Sequence, residues 1–267
     1  MPKPDADQIL ITSRTSQVVS KVPDATVAFW IAKLLSTAMG ESVSDALGHA
    51  IGHVPAVLAG AVAFAVALVI QLRCRRYSTW AYWVTVAMVG IFGTMAADVV
   101  HGLGVPLPIS TALYAIILGV VFTWWYLSEK TLSIHSIYTR RRELFYWGAV
   151  VATFALGTAA GDLTASTFRL GYLVSAVLFI LIIAIPAVWY WKFGMNSILA
   201  FWFAYVITRP VGASFADWMA SPARRSGLGW GTAWVGGVLA LAVLGCIGFM
   251  ALTGRDKERP RVAAEPR

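Results

Sequence analysis

The stretch FWIAKLLSTAMGESVSD (residues 29–45) decides the fold, because its frame returns three times: YWVTVAMVGIFGTMAAD (82–98), YWGAVVATFALGTAAGD (146–162) and FWFAYVITRPVGASFAD (201–217). In each, an aromatic–Trp pair is followed by Gly ten residues after the Trp and Asp fifteen after it. The sets are Trp30, Gly40, Asp45; Trp83, Gly93, Asp98; Trp147, Gly157, Asp162; and Trp202, Gly212, Asp217. The chain has only 13 Asp and Glu, so four aspartates in one register identify an internal repeat rather than coincidence.

Composition says where such repeats live. Of 267 residues, 58 % are hydrophobic and 13 % charged, and mean hydropathy is +0.71. A soluble domain carries about 25 % charged residues, so a water-soluble globule is excluded. Mainly apolar runs fall at about 27–49, 54–72, 79–101, 110–127, 144–164, 170–191, 198–219 and 230–252. Each is long enough to cross a hydrocarbon layer of about 30 Å, and a chain in lipid must bond its own backbone, which predicts helices. The expected fold is an all-α integral membrane protein of eight spans, read as four parallel two-helix repeats (about 25–76, 77–142, 143–196 and 197–253). A polar tail, 1–24, precedes the 25–253 membrane domain and a disordered tail, 254–267, follows it. Residues 1–24 lack the apolar core of a signal peptide. Cys74 and Cys246 fit neither a disulfide framework nor a zinc-site spacing.

The net charge of +8 is distributed by side rather than clustered. Sixteen of the 21 Lys and Arg fall in the two tails and the loops after spans two, four and six, chiefly Arg73, Arg75, Arg76 and Lys130, Arg140, Arg141, Arg142. The opposite loops hold only Arg169, Arg224 and Arg225. By the positive-inside rule both termini are expected in the cytoplasm, and the surplus charge reads as topology rather than nucleic-acid binding.

The repeat, with the segments TLSIHSIYTRRRELFYW (131–147), FALGTAAGDL (154–163) and AFWFAYVITRPVGAS (200–214), resembles a bacterial family described as uncharacterised membrane-anchored proteins. That family is built from four tandem repeats, each with two spans and a characteristic tryptophan. The resemblance covers about Val22 to Thr253 and implies a bacterial cytoplasmic (inner) membrane and the eight-span architecture. It implies no activity, and His49 and His101 stand outside its pattern.

On an ideal helix with the repeat Trp at 0°, the Asp falls at about 60° and the Gly at about 280°. Lys33, Glu41 and Arg209 share the sector of the Asp, and Thr94 and Thr158 occupy the register of Glu41. The odd spans thus carry one polar stripe each, while even spans such as 54–72 carry no charge. Four inner odd helices wrapped by four outer even ones follow, with Gly40, Gly93, Gly157 and Gly212 expected to let neighbours approach closely. Trp30, Trp83, Trp147 and Trp202 read as interfacial anchors at the inner mouth, and Lys33 as a snorkelling residue without a special role.

Asp45, Asp98, Asp162 and Asp217 would then ring the outer third of the membrane, with Glu41 near the midplane and Arg209 as its partner. Unpaired charge in lipid is costly, and like charges in one cavity cannot all stay ionised without a cation or protons among them. The leading expectation is therefore a secondary transporter or channel-like permease for a small cation, in its sharpest form a divalent metal such as manganese coupled to protons. His49, four residues after Asp45, and His101, three after Asp98, would add imidazole ligands; His53 and the loop residue His135 are weaker candidates. Any metal would be cargo, and no cofactor is expected. The alternative is a membrane scaffold or sensor whose aspartates are interhelical glue. No phosphate loop and no nucleophile with a placed base is present, so enzymatic function is not expected. The expected partners are the lipid bilayer and small cations or protons; a homo-oligomer is compatible with the sequence.

Overall fold

The computed structural model describes residues 20–256. Eight long helices account for most of them: α1 Val27–Ile51, α2 His53–Arg73, α3 Thr79–Gly102, α4 Leu107–Glu129, α5 Arg140–Asp162, α6 Tyr172–Phe193, α7 Ser197–Ala220 and α8 Thr232–Thr253. No strand occurs among the described residues. Seven of the eight are long and apolar enough to cross a membrane. The exception, α1, has 25 residues but carries Lys33, Glu41 and Asp45. Starts are set locally: Thr26 and Thr139 accept from Phe29 N and Arg142 N, and Asn196 accepts from Ile198 N, satisfying amides that a first turn leaves free. Between α1 and α2 the chain reverses at Gly52 alone, whose φ of 87° favours a residue without Cβ.

The odd helices form a closed ring, α1 against α3, α3 against α5, α5 against α7 and α7 back against α1. Burial separates the two sets. In α3, α5 and α7, 50–67 % of the apolar window is buried, against 17–28 % in α2, α4, α6 and α8. A single rule holds the ring together. The glycine of each repeat lies against the residue seven positions after the Trp in the next repeat. A methyl on Gly40 would stand 2.7 Å from the Gly90 carbonyl carbon, and one on Gly93 2.7 Å from Phe154 Cβ. On Gly157 it would strike the stem of Arg209, and on Gly212 the side chain of Thr37. The last contact joins repeat four to repeat one and closes the circle.

The outer helices pack differently from simple hairpins. Each lies mainly on the inner helix of the following repeat: α2 on α3, α4 on α5, α6 on α7, and α8 on α1. The two helices of one repeat touch much less. The repeat is a unit of sequence, while the packing unit straddles two repeats.

The closure draws in both chain ends. Ser20 Oγ donates to Ile134 O (2.8 Å), Lys21 N to Ile137 O (2.8 Å) and Lys21 Nζ to Glu143 Oε2 (2.7 Å), and Gln71 Nε2 donates to the other oxygen, Glu143 Oε1 (3.1 Å). Asp24 N meets Asp256 O, and Tyr77 Oη donates to Asp256 Oδ2 at 2.5 Å. Residues 20–24 belong to the expected polar tail and 254–256 to the expected disordered one. They are docked instead, because Asp256 and Lys21 find buried partners. The rest of both expected tails lies outside the described residues.

Candidate functional site on the ring axis

Four levels can be followed along the ring, from the Trp end to the Asp end. At the Trp end the aromatic pairs interlock around the circle. Trp83 meets Phe29 (centroids 5.6 Å apart), Trp147 meets Tyr82 (5.7 Å), Trp202 meets Tyr146 (6.0 Å) and Trp30 meets Phe201 (5.7 Å). Each Trp thus rests on the aromatic of the preceding repeat, at spacings where ring pairs attract. Tyr82 and Tyr146 join hydroxyls at 2.5 Å, and Phe29, Tyr82, Tyr146 and Tyr205 are fully buried. The collar corrects the anchoring role expected for the tryptophans. Trp83, Trp147 and Trp202 are at most 4 % exposed, held between converging helices rather than at a lipid interface.

One turn inward lies Lys33. Its ammonium is buried, lies over the Phe154 ring (4.1 Å) and the Tyr205 ring (4.2 Å), and has no hydrogen-bond partner among the described residues. The snorkelling expected of it does not occur, because the aromatic collar closes its way out.

At mid-ring four repeats meet at one guanidinium. Arg209 Nη2 donates to Glu41 Oε2 (2.6 Å), to Thr158 Oγ1 (2.8 Å) and to Thr94 Oγ1, while Nη1 donates to Thr37 O (3.1 Å). Thr94 and Thr158 also donate to Glu41 Oε2, at 3.2 and 3.4 Å. Glu41, Thr94 and Thr158 are the same register position in three repeats; the fourth has Ala213, which leaves room. Gly157 lacks the side chain that would block the Arg209 stem, so the glycine rule also delivers this arginine to the axis.

Beyond this knot come the four aspartates. Asp45, Asp98, Asp162 and Asp217 are all half-buried, and none of their carboxylates has a hydrogen bond or ion pair among the described residues. They stand one on each of the four ring helices, α1, α3, α5 and α7, and Asp45 and Asp98 border one small cavity. A five-residue π-helical turn, Leu163–Thr167, follows Asp162 and offsets that helix from its three counterparts.

The expected imidazole ligands are not part of this group. His49 and His101 are exposed, and His101 Nδ1 lies 3.1 Å from Val105 O. Among the described residues no three His, Cys, Asp or Glu side chains are close enough to hold a metal ion. His53, the weaker candidate, borders a small cavity with Asp45 and Asp98. A larger apolar groove of about 710 Å³ lies away from the acids, between α1, α6 and α7, lined by Leu34, Ile180, Ala184 and Phe201.

Comparison with known proteins adds family but no activity. The model of the family described as Repeat of Unknown Function (DUF347) matches residues 28–77, 81–131, 145–195 and 200–256, once in each repeat, and the chain belongs to that family. Neither a curated protein nor a solved structure matches it.

Proposed function

Starting from that membership, we propose that this four-repeat chain is a multi-pass permease that moves a small cation in exchange for protons. Its setting in this reading is a bacterial cytoplasmic membrane, with both termini and the aromatic collar on the cytoplasmic side and the aspartates facing out. The observation that carries the reading is the set of four carboxylates at one register of the four ring helices, none with a side-chain partner among the described residues. Such a group in a partly dehydrated place favours cations or protons. The spacing that denies direct chelation argues for a hydrated ion, divalent or monovalent, over a dry metal centre. Arg209 is then a resident counter-ion: a proton or cation reaching Glu41 must displace it, which couples entry to movement of four inner helices at once. Lys33 and the collar close the other end until that movement occurs. The metal is cargo, and no cofactor is required.

The test is flux in proteoliposomes, with entrapped metal- and pH-sensitive dyes, for wild type, Glu41→Gln and Asp98→Asn. Reduced flux in both variants is expected; equal flux in all three defeats the proposal.

One observation favours a second reading. The Arg209 knot is largely satisfied by its own partners, as a structural rivet would be. A scaffold or sensor of that kind predicts that Asp→Asn changes lower thermal stability while no flux is detected in any protein. Single cysteines at the four Asp positions separate the two, since a hydrated mouth admits a thiol reagent and a packed core does not.

A further inference from the structure

Three titratable side chains from three helices border one small cavity at the Asp end. It has a volume of about 10 Å³ and is lined by Asp45 of α1, His53 of α2 and Asp98 of α3, with Ser44, Gly48 and Met95 completing it. That is room for a single water, and a water needs two to four polar partners, which these side chains can supply. The imidazole is placed there by the backbone of α1. A methyl on Gly48 would stand 3.0 Å from Nδ1 of His53, so the bare glycine three residues after Asp45 lets the ring lie against α1. His53 is also an exposed residue, so one side chain meets both the surrounding medium and the cavity. The site is unique in the chain. The position 23 residues after the repeat Trp is His53 in the first repeat, but Pro106, Leu170 and Arg225 in the others.

From this geometry we infer that His53 is the proton port of the acidic ring, passing protons between the medium and the Asp45–Asp98 pair through one bound water. The inference deepens the permease reading and rests on it. Imidazole suits the task because it both donates and accepts in neutral solution. The step balances without a co-reactant: one ring nitrogen takes a proton from the medium, the other gives its proton to the water, and the water gives one of its own to a carboxylate. The titratable groups that share the cavity with His53 are Asp45 on α1 and Asp98 on α3; His49 and His101 are exposed and do not line it, and His101 Nδ1 lies 3.1 Å from Val105 O. Asp162 of α5 and Asp217 of α7 do not line this cavity. The fourfold ring of acids is therefore served from one side.

The experiment measures proton flux between pH 6 and 8 in proteoliposomes, with an entrapped pH dye and a potassium gradient clamped by valinomycin, for wild type, His53→Ala, His53→Gln and His49→Ala. Thermal melts confirm that each variant is folded. The expected result is at least a tenfold loss of proton flux in His53→Ala and His53→Gln, recovery of His53→Ala by millimolar imidazole, and little change in His49→Ala. Wild-type proton flux with undiminished flux in both His53 variants overturns the port and leaves the permease standing. A loss equal in His49→Ala, or one that imidazole does not restore, also overturns it. No proton or cation flux in wild type overturns the permease and the port together.

Discussion

Replacing Glu41 with Gln removes the only carboxylate, among the described residues, that touches Arg209. The guanidinium is fully buried and the carboxylate 5 % exposed, so solvent cannot take over. Breaking a buried pair by removing one charge costs about 3–5 kcal/mol, because the other charge stays behind without compensation. Two features put Glu41→Gln at the lower end, about 3 kcal/mol. The amide keeps one acceptor oxygen, and Arg209 still reaches Thr94, Thr158 and the Thr37 carbonyl. For a chain of this size that corresponds to a fall of about 6–12 °C in melting temperature. Thermal unfolding in detergent can be followed with a thiol-reactive fluorophore, since Cys74 and Cys246 are both free and half-buried. The double variant Glu41→Gln, Arg209→Met removes the stranded charge as well and should recover much of the loss, with a coupling of about 2 kcal/mol in the cycle. If Glu41→Gln melts within about 2 °C of wild type, or the double variant is no better than the sum of its parts, the knot does not hold the ring together as argued.

Other perturbations test neighbouring parts of the same logic. Gly157→Ala drives a methyl into the Arg209 stem and should cost about 1–3 kcal/mol, whereas Gly237→Ala, with nothing within 4 Å, should be neutral or slightly stabilising; equal melting temperatures refute the glycine rule. Lys33→Met keeps the length of the side chain and removes an ammonium without hydrogen bonds, so it should melt at or above wild type, and a large fall would mean that Lys33 has a partner on the axis. Tyr77 lies in the loop between α2 and α3, where burial, and then its bond to the Asp256 carboxylate, raise its pKa far above that of a free phenol. The raised group favours the folded form at every pH below the phenol's unfolded value of about 10 and loses that contribution above it. Proteolysis of the C-terminal segment should therefore stay slow through neutral pH and quicken above about pH 10, while Tyr77→Phe should be cut faster at neutral pH.

Much of this arrangement can be read from the four quoted stretches. Period and wheel angle give the inner helices, the common face of Glu41, Arg209 and the aspartates, and the shared register of Glu41, Thr94 and Thr158, because these depend on one helix's own geometry. What the stretches cannot show is which helix of which repeat comes next. The packing of α2 on α3 and α8 on α1, the seating of each glycine on the following repeat, and the aromatic collar all depend on that neighbour relation. The tryptophans were therefore misread as interface anchors. An aromatic at the end of an apolar run looks the same whether it faces headgroups or a converging partner. Lys33 was misjudged for the same reason. His53 was undervalued because its approach depends on Gly48, a glycine outside the repeat register, and on a chain reversal at Gly52 that no periodicity encodes.

The internal comparison also bears on which reading of the axis is the better one. The shell of the ring obeys fourfold symmetry closely, with Trp, Gly and Asp kept in every repeat. The levels between them do not: three residues after the Trp come Lys33, Val86, Val150 and Tyr205; seven after it Thr37, Gly90, Phe154 and Arg209; eleven after it Glu41, Thr94, Thr158 and Ala213. If the aspartates were glue, each should find a donor on the adjacent helix, as the threonines do, and the same donor should recur by symmetry. Instead the four uniform carboxylates have no side-chain partner among the described residues, while Glu41, Thr94, Thr158 and Arg209 of the divergent middle bond to one another. Polar groups left unpaired in a low-dielectric place are costly, so four unpartnered carboxylates beside a buried arginine bonded elsewhere favour the proposed permease over interhelical glue. In the proposed permease the symmetric acids would form the one entrance and the asymmetric, bonded middle the one controlled step, whereas the scaffold reading gives no reason for the two levels to differ.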